Sequence, residues 1–125
     1  MISVIIPCYK VSIHICDLIS NIGDEVDEII VIDDCCPENS GKIVEDKCHD
    51  PRVRVIFHES NQGVGGAVLT GYKAAIDSGA SVIVKLDGDG QMDPALIPAF
   101  ISPIEKCEAD YTKGNRFFEI ETVRQ

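Results

Sequence analysis

Short runs of β-branched apolar residues alternate along this chain with longer stretches whose apolar positions recur every three or four residues. Ile2-Ser3-Val4-Ile5-Ile6 is such a run, stopped by Pro7, and reads as a strand buried on both faces. Residues 11–22 carry apolar side chains at 11, 15, 18, 19 and 22, which is helical spacing, and Gly23 ends the segment. Glu28-Ile29-Ile30-Val31-Ile32 is a second strand, stopped by Asp33-Asp34. A helix is expected around residues 41–48, a third strand over 52–57, and a long helix rich in Ala and Gly over 63–78. Ser81-Val82-Ile83-Val84-Lys85-Leu86 is the fourth strand. Asp93-Pro94 reads as an N-cap with a first-turn proline, but Pro98 and Pro103 limit the helix that follows. A fifth strand is expected over 109–113. Strands that alternate with helices call for right-handed crossovers, so the expected fold is α/β, Rossmann-like, a mostly parallel sheet with helices on both faces.

The polar clusters then fall in one place. Pro7-Cys8-Tyr9 follows the first strand, Asp33-Asp34 the second, Asn61-Gln62-Gly63 the third, and Asp87-Gly88-Asp89-Gly90-Gln91 the fourth. All four sit at the carboxyl edge of the expected sheet, where open α/β proteins bind ligands. A glycine turn lets Asp87 and Asp89 converge, and two converging carboxylates repel unless a cation sits between them. Mg²⁺ or Mn²⁺ suits such a site, with Gln91 as a further oxygen donor. A solvated polar turn is the plain alternative. An EF-hand is excluded, because Met92 stands where that loop needs glycine and Pro98 where it needs glutamate. Asp33-Asp34 has two readings, helix capping through the turn to Pro37 or hydrogen bonding to a base or ribose. Arg116 is either surface charge or a phosphate ligand. Gly63-Val64-Gly65-Gly66 is a poor dinucleotide fingerprint, since Val68 replaces the third glycine, and no Gly-Lys-Ser/Thr phosphate loop occurs. His14, His49 and His58 show no metal spacing and read as surface or incidental residues.

Bulk properties narrow the field. The 125 residues suit one domain with one core. A formal charge of -10 argues against nucleic-acid binding and against an anionic lipid surface as a direct partner. The six cysteines lack C-x-x-C spacing and mostly lie in or beside apolar runs, so reduced thiols are expected rather than a disulfide framework. The sequence reads with no secretory leader and no membrane span, which makes the cytoplasm the expected compartment.

The order Val4-Ile5-Ile6-Pro7-Cys8-Tyr9, Val31-Ile32-Asp33-Asp34, Asn61-Gln62-Gly63-Val64-Gly65-Gly66-Ala67 and Asp87-Gly88-Asp89-Gly90-Gln91-Met92-Asp93-Pro94 resembles a family 2 glycosyltransferase of GT-A fold. Lys113-Gly114-Asn115-Arg116-Phe117 is similar to a segment of the polyprenyl-phosphate subgroup, the dolichol-phosphate mannosyltransferase-like enzymes. The resemblance implies that Pro7, Tyr9, Ile32 and Asp34 line a nucleoside site. It implies that Asp87, Gly88 and Asp89 meet a diphosphate and its metal, that Gln91 completes the metal shell, and that Arg116 contacts phosphate or sugar. Asp87 and Asp89 would thus carry the catalysis, by holding a Lewis-acid cation against a departing diphosphate.

The implied activity is inverting transfer of a hexose from a UDP- or GDP-linked sugar to a polyprenyl phosphate or a glycan. Family members normally continue into an acceptor-binding half, so residues 1–125 resemble the donor-binding part alone, expected to transfer little by itself. For a longer enzyme with a lipid acceptor, the cytoplasmic face of a membrane is the implied place. Lys10-Val11 and Cys35-Cys36 depart from the usual pattern, and the second pair implies a drier turn after the acidic residues. Two rival readings stay open. One is a non-catalytic nucleotide-binding or interaction domain, with an uncovered sheet edge suited to a homodimer. The other is a nucleotidyltransferase, although Pro7-Cys8-Tyr9-Lys10 lacks the glycines such a loop normally has.

Overall fold

A computed structural model of the chain describes residues 1–8, 15–86, 94, 97–99, 111–114 and 120–123. The elements run β1 (Ile2–Cys8), α1 (Ile15–Ser20), β2 (Glu28–Asp33), α2 (Ser40–Lys47), β3 (Val53–Phe57), α3 (Gly63–Asp77), β4 (Val82–Lys85), β5 (Tyr111–Gly114) and β6 (Ile120–Val123). The first four strands form a parallel sheet in the order β3-β2-β1-β4. The expected α/β, Rossmann-like fold is the one observed, with helices on both faces.

The continuous apolar runs of β1 and β2 follow from that two-sided cover. Val4, Ile6, Ile29 and Val31 pack on one face with Ile15, Leu18 and Ile19 of α1 and Val44 of α2, joined by Ile97. Ile5, Ile30 and Ile32 pack on the other with Ala67 and Ala75 of α3. Side chains that alternate along a strand thus feed two separate cores. Gly71 lets α3 lie close on its face: a Cβ there would stand 2.9 Å from Ile32 Cδ1 and 3.1 Å from Ile5 Cβ.

The strands differ from expectation at two places. β1 does not stop at Pro7 but runs through it to Cys8. Odd-numbered residues of β1 bond toward β4, as Ile5 O does with Leu86 N, and the β4 pairing ends at Ile5, so the N–H that Pro7 lacks falls beyond the last paired residue. Of the first expected helix, over 11–22, residues 15–22 are described, and α1 ends at Ser20 with Asn21 in a turn; residues 9–14 lie outside the described set, as does the N-cap expected at Asp93. β5 pairs antiparallel with β6, a strand the sequence pattern did not suggest.

Candidate functional site

Strand register decides what meets at the carboxyl edge. Pro7 is level with Ile32, and Cys8 with Asp33. Asp34 N donates to Cys8 O at 3.1 Å, and His58 N donates to Asp33 O at 2.9 Å, so the ladder continues one step past the strands. β4 ends beside them. Leu86, buried, donates its N–H to Ile5 O at 2.9 Å and leads directly into Asp87.

The two adjacent aspartates are both buried, and each caps a different helix. Asp33 Oδ1 accepts from Cys36 N at 2.7 Å and Oδ2 from Gly41 N at 2.8 Å. That carboxylate satisfies the turn and the first turn of α2, whose own N-cap, Asn39, makes no side-chain cap bond. Gly41 has no Cβ to intrude: one would sit 2.8 Å from Asp33 Oδ2.

Asp34 serves the other face. Its Oδ1 accepts from Gln62 N at 2.7 Å, and its Oδ2 from Gly63 N at 2.9 Å. These are the entry amides of α3, and Gln62 at the N-cap again makes no side-chain cap bond. His58 Nδ1 lies 2.9 Å from Asp34 Oδ1, with both side chains almost fully buried. Burial alone would raise the Asp34 carboxyl. The Gln62 amide, the His58 ring and the Gly63 amide outweigh it and hold the group below the ordinary carboxylate range.

The capping reading, through the turn to Pro37, describes Asp33; Asp34 instead bonds to the amides that open α3. His58 corrects the sequence reading outright. It is neither a surface nor an incidental residue but a buried bridge, with Nε2 2.9 Å from Thr70 Oγ1 on α3. The Thr70 hydroxyl has one proton and two candidate acceptors, Gly66 O at 3.0 Å and His58 Nε2. Donation to Gly66 makes both ring nitrogens donors and His58 a cation; donation to the ring makes it neutral. A sequence signal existed: His58 directly follows β3 at the same edge as the other clusters.

Of the expected site residues, Pro7, Ile32 and Asp34 come together at this edge. The Ile32 side chain is fully buried in the α3-side core, and Pro7 is half-buried. Tyr9, Asp87, Gly88, Asp89, Gln91 and Arg116 lie outside the described residues. Among the described residues no group of three His, Cys, Asp or Glu could hold a metal, and no helix is long and apolar enough to cross a membrane. Cys8 is not a nucleophile candidate: burial, then the nearby Asp33 and Cys36, push its thiol far up. The turn after the acidic pair is not uniformly dry, for Cys36 is buried but Cys35 is exposed, with a left-handed φ of 57°.

Known proteins resemble this chain in sequence and in fold. The chain is 34% identical over 130 aligned residues to the UDP-N-acetylglucosamine–dolichyl-phosphate N-acetylglucosaminyltransferase of Methanococcus voltae, covering 93% of this chain and 52% of that protein. It is 29% identical to the undecaprenyl-phosphate mannosyltransferase of Micrococcus luteus, covering 90% of this chain and 46% of that one. The chain thus spans about half the length of these curated relatives. A crystal structure of S. aureus TarS 1-349 in complex with UDP-GlcNAc shares the fold at a TM-score of 0.67 and 22% identity, over 99% of this chain and 37% of that one. The family model described as Glycosyl transferase family 2 matches residues 3–125, and the chain belongs to that family.

Proposed function

We propose that this chain is the donor-binding part of an inverting glycosyltransferase that moves a hexose unit from a nucleotide diphosphate sugar to a polyprenyl phosphate. The observation that carries the reading is the family match across residues 3–125 on a parallel sheet with Asp33, Asp34 and His58 at its carboxyl edge. A UDP-linked donor is favoured, because one relative is named for UDP-N-acetylglucosamine and the TarS structure contains UDP-GlcNAc. The polyprenyl-phosphate acceptor is favoured by the names of the relatives.

Pro7, Tyr9 and the end of β2 take the nucleoside in this reading. The two oxygens of Asp34 already accept three internal bonds, so its share is one remaining lone-pair direction on Oδ2, fit for a ribose hydroxyl. Asp87, Asp89 and Gln91 supply two carboxylates and an amide oxygen, a donor set that fits Mg²⁺ or Mn²⁺. A cation bound there supplies positive charge to the leaving diphosphate. Gly88 allows the diphosphate to approach the backbone, and Arg116 binds its oxygens through a planar fork.

The acceptor phosphate oxygen attacks the anomeric carbon opposite the diphosphate. The new C–O bond forms as the old one breaks, and inversion follows from that geometry. A phosphate acceptor is already anionic, so no general base is needed; a glycan hydroxyl would need one. A lipid acceptor would place the complete enzyme at the cytoplasmic face of a membrane.

Calorimetric titration of UDP and GDP, with Mn²⁺ and with EDTA, tests the donor site. The expected result is Mn²⁺-dependent UDP binding, weakened at least tenfold in Asp89→Ala. Unchanged binding in that variant would remove the metal assignment, and no binding of either nucleotide would remove the donor-site reading.

A further inference from the structure

Cys16 on α1 and Cys48 at the C-cap of α2 place their sulfurs 2.7 Å apart, 32 positions apart in sequence. Both are free thiols, half-buried, and packed against the edge of the core between the two helices. That separation is well inside ordinary sulfur–sulfur contact and about 0.7 Å beyond the ~2.05 Å of a disulfide bond. The other described cysteines direct their sulfurs to oxygens: Cys8 to Ile6 O, Cys35 to Glu59 O and Cys36 to Ser40 Oγ. A zinc ion would need further ligands, and among the described residues no group of three suitable side chains exists.

We infer that Cys16 and Cys48 form a redox-reversible disulfide that ties α1 to α2. The step is thiol–disulfide exchange with a small-molecule disulfide RSSR. One cysteine thiolate attacks a sulfur of RSSR and expels RS⁻, which leaves a mixed disulfide on the protein. The second cysteine, as thiolate, attacks the protein-bound sulfur and expels the second RS⁻. The protein loses two electrons and two protons, and RSSR becomes two RSH. Because the sulfurs are already adjacent, the second step is intramolecular and needs little movement of either helix.

The bond closes a loop that contains β2, the strand that ends in Asp33. It therefore locks the helical layer behind the acidic edge. Oxidation is slow at neutral pH, because burial and then the Cys16 sulfur and Asp50 push the Cys48 thiol up to about 12. This inference is independent of the donor-site reading.

The test incubates the reduced chain with oxidised glutathione at several pH values and follows intact mass, thiol content and non-reducing peptide maps. The expected product is lighter by about 2 Da. Thiols fall from six per chain to four. One peptide pair is linked through Cys16 and Cys48, formation is faster at pH 9 than at pH 7, and the unfolding midpoint rises and falls back with dithiothreitol. Cys16→Ser and Cys48→Ser each abolish the product. Glutathione adducts that persist on either cysteine overturn the inference. So does an equilibrium mixture in which Cys16 and Cys48 stay unlinked, or a bond that joins either of them to another cysteine.

Discussion

Asp34 and His58 are paired and almost fully buried at the carboxyl edge. A carboxylate with both oxygens aimed at backbone amides and an imidazole is costly to alter, because its partners are buried with it. Asp34→Asn keeps the shape but turns an amide NH₂ toward groups that donate. It is expected to cost about 2–4 kcal/mol in urea unfolding at pH 7. The pH dependence follows from the depressed carboxyl. The folded form holds Asp34 ionised below the unfolded value near ~3.9, so its contribution is complete above that value and is lost as pH falls through the lower folded one. The gap in urea midpoint between wild type and Asp34→Asn should therefore be constant from pH 6 to 5 and close below pH 4. A gap that stays open at pH 2 would show that ionisation is not its source. The pair Asp33-Asp34 at a strand end is visible in the sequence; what each carboxylate touches is not. His58 lies 24 positions away, and only the parallel register of β2 and β3 brings it alongside.

At the scale of elements, small residues and one arginine set the packing. Arg52 uses all five N–H groups of its guanidinium. Nε and Nη2 bind the Asp50 carboxylate, and Nη1 and Nη2 reach Gly23 O at 2.6 Å, Val26 O at 3.1 Å and Ile22 O at 3.0 Å. The chain after α1 is thereby stitched to the start of β3, and the side-chain bond from Arg52 holds Asp50 below its ordinary range despite partial burial. The glycines of α3 divide by face. Gly71→Ala is expected to destabilise by about 1–2 kcal/mol, because Ile5 Cβ is tied to the backbone of a central strand and cannot retreat. Gly65→Ala meets open space and should stabilise by roughly 0.5–1 kcal/mol through helix propensity. Urea midpoints of the two variants should move in opposite directions; a shift of the same sign would refute the close-packing account. The close approach of α3 to the sheet is at Gly71, whereas a Cβ on Gly63 or Gly65 would meet nothing within 4 Å.

For the whole molecule, charge and topology act separately. The net charge of -10 does not determine the fold, but it loads the folded state with self-repulsion. Screening lengths shrink from about 30 Å at 0.01 M salt to about 10 Å at 0.1 M. The thermal midpoint should accordingly rise by roughly 4 °C over that range, about 1 kcal/mol of relieved repulsion. Scanning calorimetry in NaCl checks it, and a midpoint that falls with salt would mean that attractive surface pairs dominate instead. Topology places β3 and β4 at the two edges of the sheet and β1 and β2 at its centre, which is why the two most apolar runs are also the most buried. The β6 strand has no clear sequence signal, because Ile120–Val123 is short and half polar, with Glu121 and Thr122 between its apolar ends.

The order of the elements from β1 to β4, the parallel sense of their sheet and the edge that carries Asp33 and Asp34 were determined by the sequence alone. They depend on local periodicity and on the fixed hand of strand crossovers, both of which act over short stretches of chain. Only the tertiary structure decided what each polar side chain touches. Asp33 turns to α2 and Asp34 to α3, His58 becomes a buried bridge, and Cys16 meets Cys48 rather than one of the other described thiols. Those contacts depend on how far each helix slides over the sheet, and that is set by the close packing of side chains from many elements at once.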